Sequence, residues 1–136
     1  MYHIYRKMAI SHKPKLEDAI QALVPGASFI YNGSYKTLYW APNNSHEKPA
    51  EQELLEKLAF LEAEYPMVLL RNERNNQLAN VDWVAIKYFT IGEAIPKRWA
   101  EYFQQLRDLP NVSKPTLDAN GLLNLSSVQW PVKPLE

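Results

Sequence analysis

Apolar residues recur at helical spacing in three stretches of the chain. Leu16, Ala19, Ile20 and Leu23 stand at i, i+3, i+4 and i+7, which predicts a helix over residues 15–24 with one apolar stripe. Pro14 suits its first turn, where a missing N–H costs nothing. Pro25-Gly26 predicts its end, because proline disfavours the helical conformation before it and glycine permits the turn. A second seam runs through Leu54, Leu58, Leu61 and Tyr65, widened by Leu55 and Phe60. It predicts a helix over residues 49–64, opened by Pro49, with Glu51 and Glu53 near its positive end. Pro66 predicts a break or kink, since it cannot donate to the helical ladder, and a further helical piece follows over residues 67–79. Trp99, Tyr102, Phe103 and Leu106 predict a last helix over residues 96–109, opened by Pro96 and closed by Pro110.

Elsewhere the period changes. Residues 28–31 and 35–40 are rich in aromatic and β-branched side chains, with Asn32-Gly33 between them. Asn-Gly tolerates the positive φ angles of a type I′ turn, so the segment reads as a hairpin. Lys36, Leu38 and Trp40 share one face, while Tyr35, Thr37 and Tyr39 share the other. A lone hairpin is marginal in water, so the first helix is expected to pack on it, and the next helix with it. Asp82 is placed to cap a helix over residues 83–89, yet residues 85–91 read equally well as a strand. Gly92 breaks that piece. Beyond Pro110 the chain holds Pro115, Asn120-Gly121, Pro131 and Pro134 but little periodicity. That predicts an extended arm with one strand at residues 122–125.

The expected class is therefore α+β: helix, β-hairpin, long helix, then further helices and an extended C-terminal arm. The organisation expected is a helix/hairpin/helix subdomain over residues 1–66, a helical region over 67–110 and the arm over 111–136, with Leu135-Glu136 read as tag-derived. The Leu54–Tyr65 seam could carry a homo-oligomer, but it is short and serves equally as core, so none is indicated.

Composition narrows the function. Fifteen basic residues balance fifteen acidic ones, and a protein that grips phosphates normally carries a basic excess; no nucleic-acid partner is expected. No window approaches the ~18 apolar residues needed to cross a bilayer, and residues 1–7 lead into no signal core. The expectation is a cytoplasmic protein with no membrane partner. Cysteine is absent, which removes disulfides and thiolate metal sites.

Candidate chemistry is sparse. His3, His12 and His46 are not spaced as metal ligands. No serine occupies a Gly-x-Ser-x-Gly elbow, and the four glycines never cluster into a phosphate loop. Glu51, Glu53, Glu56, Glu62 and Glu64 read as a solvated helix face, with Glu53 and Lys57 correctly ordered for local helix support. No catalytic, cofactor-binding or metal-binding residue is assigned. Four residues are candidates for touching a partner. Arg71 and Arg74, one turn apart, could clamp a carboxylate in two-pronged fashion; alternatively they pair within the fold, with Glu64 or Asp82. Trp130 and Val132 lie in Val128-Gln129-Trp130-Pro131-Val132, where the tryptophan either docks on its own domain or meets a partner. Trp83 and Trp99 are expected to be core anchors.

Five blocks, in order, resemble the tail-assembly chaperone and tail-fibre assembly proteins of bacteriophages and prophages. They are Leu38-Tyr39-Trp40 followed by Lys48-Pro49-Ala50-Glu51; the run from Arg71 to Trp83; Trp99-Ala100-Glu101-Tyr102; Leu106-Arg107-Asp108-Leu109-Pro110; and Trp130-Pro131-Val132-Lys133-Pro134. The resemblance spans residues 29–134. Departures are Ala50, where the family often has a capping threonine or serine, Asn80-Val81 in place of Glu-Thr, and a longer, more apolar stretch over residues 85–95. The resemblance implies a small non-enzymatic protein of the infected bacterium, without cofactor, that binds a phage tail or tail-fibre protein. It leaves open a structural adaptor retained in the phage tail.

Overall fold

The structure, a computed structural model, describes residues 12–135. The readings made on His3, on the N-terminal residues 1–7 and on Glu136 lie outside the described residues. The fold is α+β. The chain divides into two compact units, Met1–Tyr65 and Pro66–Glu136.

In the first unit, helix α1 spans Leu16–Leu23. Its N-terminus is closed by Asp18, whose carboxylate accepts the Lys15 N–H at 2.7 Å and also meets the His12 ring at 3.0 Å. It ends where expected, before Pro25-Gly26, with Gly26 at φ 78. Ala19 and Ile20 are fully buried with Leu38 and Leu54, and Leu16, Phe29 and Trp40 pack around them. Both flanking helices therefore cover the hairpin, which supplies the burial a two-stranded ribbon lacks alone.

The hairpin is shorter than its sequence suggests. Strand β1 is Phe29–Ile30 and β2 is Tyr39–Trp40, paired antiparallel as Phe29 with Trp40 and Ile30 with Tyr39. A two-residue turn at Asn32-Gly33 would have paired Tyr31 with Ser34 instead. Tyr35–Thr37 form a 3-10 turn, and tertiary contacts account for the change. The Tyr35 hydroxyl donates to the Pro49 carbonyl at 2.7 Å, and the Lys48 ammonium donates to the Leu38 carbonyl while lying 4.5 Å from the Tyr35 ring. These bonds turn Leu38 into the core, a gain larger than two more ladder pairs on an exposed ribbon.

Helix α2 spans Glu51–Asn80 without a break, with Pro66 inside it. Of the break or kink expected at Pro66, the break does not occur, because proline removes only one ladder bond. The carbonyl it orphans belongs to exposed Glu62, where water can replace the donor. Within the first unit, Leu54 is buried and Leu58 and Leu61 pack on the same core, so the seam is internal. Leu55 and Phe60, expected to widen that seam, are about half exposed instead.

The second unit holds the rest of α2, then α3 over Asp82–Thr90 and α4 over Lys97–Val112. The segment that read as helix or strand is thus helical. Asp82 does not cap it: Val81 occupies that position without a side-chain bond, and Asp82 opens the helix, where its charge favours the positive end. α4 runs past Pro110 rather than stopping there. Val81, Val84, Trp99, Tyr102, Phe103 and Leu106 form one core cluster, and the Trp99 ring meets the Tyr102 ring edge-on at 6.0 Å.

Residues 111–135 are not a free arm. Val128 is buried with Leu70 of α2 and Leu109 of α4, and Leu123 and Trp130 pack against them. The strand expected at residues 122–125 reduces to a single bridge, Leu117 with Leu123, and a 3-10 turn at Leu125–Ser127. Asp118 explains the shortness. Its carboxylate accepts the N–H groups of Asn120 and Leu122 at 2.8 and 3.0 Å, turning the chain before a ladder can extend.

Candidate interaction surface

His12 pairs with Asp18, and the His46 carbonyl takes the Trp40 indole N–H at 2.9 Å. Among the described residues no three His, Asp or Glu side chains are grouped to hold a metal ion. No helix among them is long and apolar enough to cross a membrane.

The four residues singled out as partner contacts separate into two kinds. Arg74 works inside the unit, where it reaches the backbone of α4. Its guanidinium donates to the carbonyls of Leu106 and Arg107 on α4, at 3.4 and 3.2 Å, and to the Asn75 side chain at 2.8 Å. The Leu106 carbonyl is free to accept because Pro110, four residues after Leu106, has no N–H to offer that oxygen. Trp130 is half-buried on the Leu70–Leu109–Val128 cluster, and its indole N–H donates to the Leu125 carbonyl at 3.2 Å. Both side chains thus brace the α2–α4 seam. Arg71 and Val132 remain exposed, Val132 at 88%.

The surface that the sequence reading missed lies on α3. Val84 and Tyr88 face the core. Trp83, Ile86 and Phe89, spaced i, i+3, i+6 on the opposite side, are 42%, 63% and 86% exposed. Trp83 had been expected in the core; only its edge reaches inward, meeting the Trp99 ring at 6.1 Å and 71°. Ile91 and Ile95, which follow the helix, are also exposed. The signal was present in the sequence: an apolar run that alternates between two helical faces has no polar side, and for that reason it also read as a strand. An apolar surface left open in this way usually marks a contact with another molecule.

No curated protein and no solved structure matches the chain. A family described as phage tail assembly chaperone protein matches residues 67–135. The match is narrower than the span of the resemblance and leaves out the hairpin blocks. It takes in α3 with its two apolar sides, the Arg74 link and the docked Trp130. On a match covering half its length, the chain belongs to the phage tail assembly chaperone family.

Proposed function

We propose that the protein is a non-enzymatic holding chaperone of the host cytoplasm. In this reading it covers apolar surface on a tail or tail-fibre protein until that protein is incorporated. The outward face of α3 carries the reading. Trp83, Ile86 and Phe89 expose apolar surface on one side of α3, within the span that matches the family, and such a surface suits a segment that would otherwise aggregate. The client segment is expected to be apolar, laid along α3. Arg71 and Val132, both exposed, are proposed as further contacts, while Arg74 and Trp130 contribute by tying α2, α4 and the C-terminal segment together. The protein acts by contact rather than reaction, and nucleic acid and membrane have no part in it.

Co-expression with the neighbouring tail protein tests this reading through soluble yield. The wild-type chain should raise that yield and Ile86→Asp should lose most of the gain. No gain over an unrelated control protein rejects the proposal. Mass spectrometry of purified particles separates it from the adaptor reading, because a chaperone leaves the finished tail and an adaptor stays in stoichiometric amount.

A further inference from the structure

The chain holds two Asn-Gly pairs, Asn32-Gly33 between the strands and Asn120-Gly121 in the C-terminal segment. In such a pair the glycine nitrogen can attack the side-chain amide carbon of the asparagine, because no Cβ stands in its way. The fold treats the two pairs in opposite ways.

At Gly121 the nucleophile is engaged. Its N–H donates to the Asp118 carbonyl at 3.0 Å, and attack requires that proton to leave. The Asp118 carboxylate accepts the N–H groups on either side, from Asn120 at 2.8 Å and Leu122 at 3.0 Å. A negative charge therefore sits beside the nitrogen that would have to become anionic. Gly33 is different. Its N–H has no hydrogen-bond partner among the described residues, and nothing stands within 4 Å of where a Cβ would be. Asn32 and Gly33 are both exposed.

The electrophile is prepared as well. The Thr37 hydroxyl donates to Oδ1 of Asn32 and also reaches the Ser34 carbonyl at 3.2 Å. As a nitrogen adds to the amide carbon, Oδ1 takes on negative charge, and a donor already in place stabilises it.

We propose that Asn32 is a site of spontaneous deamidation, assisted by Thr37. The Gly33 nitrogen gives its proton to solvent and bonds to Cγ of Asn32. The side-chain nitrogen takes up a proton and leaves as ammonia, which closes a cyclic succinimide. Water then opens the ring at one carbonyl or the other, giving aspartate or isoaspartate; nothing is oxidised or reduced. Either product places a carboxylate where a neutral amide stood, in a chain whose charges otherwise balance. Isoaspartate also routes the backbone through the side-chain carbon, which lengthens the connection between β1 and β2. This chemistry is independent of the holding role.

The full chain is incubated in warm, mildly alkaline buffer, and peptide mass spectrometry follows both sites in one sample. Asn32 should convert at least about fivefold faster than Asn120, the rate equivalent of one ordinary hydrogen bond. Isoaspartate, detected as methyl acceptance with a protein isoaspartyl methyltransferase, should map to the peptide containing residue 32. In urea the two rates should converge, because only the fold distinguishes the pairs. Thr37→Val should slow conversion at Asn32 about threefold or more while leaving Asn120 unchanged, and Thr37→Ser should restore the rate. Equal rates in the folded chain, or faster conversion at Asn120, overturn the proposal whatever the variants do. So does a rate difference that persists in urea, or a Thr37→Val chain that converts as fast as the wild type.

Discussion

Arg74 supplies the hydrogen bond that Pro110 removes. The Leu106 carbonyl would ordinarily accept the N–H of the residue four positions later, and that residue is a proline inside α4. The Arg74 guanidinium reaches this oxygen at 3.4 Å and the next carbonyl at 3.2 Å. A long cation thus lets a helix pass through a proline, and it ties α2 to α4 in the same bond.

Replacing Arg74 by methionine keeps the aliphatic stem and deletes the donors. The expected loss is about 1–2 kcal/mol in urea unfolding, the cost of leaving such acceptors unpaired. In a Pro110→Ala background, where the helix can satisfy Leu106 itself, the same substitution should cost distinctly less. Equal costs in the two backgrounds would show that the two residues are not coupled.

The core and the outward face of the second unit should respond in opposite ways. Trp99 is 1% exposed and Leu106 is fully buried, so Trp99→Ala or Leu106→Ala should cost about 3–5 kcal/mol through lost burial and an unfilled cavity. Phe89→Ser should change stability by less than about 0.5 kcal/mol, because an exposed side chain away from caps and networks contributes little. Thermal unfolding decides this. A Phe89→Ser loss as large as that of Leu106→Ala would mean that the α3 face is covered.

Burial raises the Tyr102 phenol above its ordinary value of 10.0. The folded state then holds a proton that the unfolded chain releases first. Its contribution is complete below the unfolded value and disappears as pH rises through the folded one. Stability should consequently fall in alkali, beginning near pH 10, and Tyr102→Phe should flatten that fall. Unfolding midpoints recorded across the alkaline range test it; identical slopes for the two proteins would remove Tyr102 as the cause.

Trp130 and Val132 stand two residues apart yet should behave differently. Trp130 packs on Leu70, Leu109 and Val128 and donates to Leu125, so Trp130→Ala should lower stability by about 1–3 kcal/mol. Val132 is 88% exposed, and Val132→Ala should leave the melting temperature unchanged while weakening client retention. A Trp130→Ala protein that melts like the wild type would instead leave the tryptophan free for a partner.

Much of the helical architecture could be read before any coordinates. The stripe through Ala19 and Ile20, Leu54 on the second seam, and the Trp99–Tyr102–Phe103–Leu106 stripe all turned inward as expected. Such patterns are local, repeated every turn, and backed by capping and turn residues that agree with them. The family was legible for a related reason: its blocks lie in order along the chain, and the half that matches contains most of them.

Local pattern was enough to say which stretches coil and which of their faces are apolar. Tertiary structure alone decided what became of the punctuation and of the unmatched polar groups. Pro66 looked like a break or kink and Pro110 like a stop, but each removes only one ladder bond, and solvent or Arg74 can make good the orphaned carbonyl. Tyr35–Thr37 looked like strand, but bonds to Lys48 and Pro49 were worth more than ladder pairing. Trp83 looked like core, yet Val84 and Tyr88 already filled the inward side of its helix and left it outside. At Pro110 and at Tyr35–Thr37 the outcome turned on a group distant in sequence. A local pattern can state what a residue prefers; only the packed chain shows which partner reaches it first.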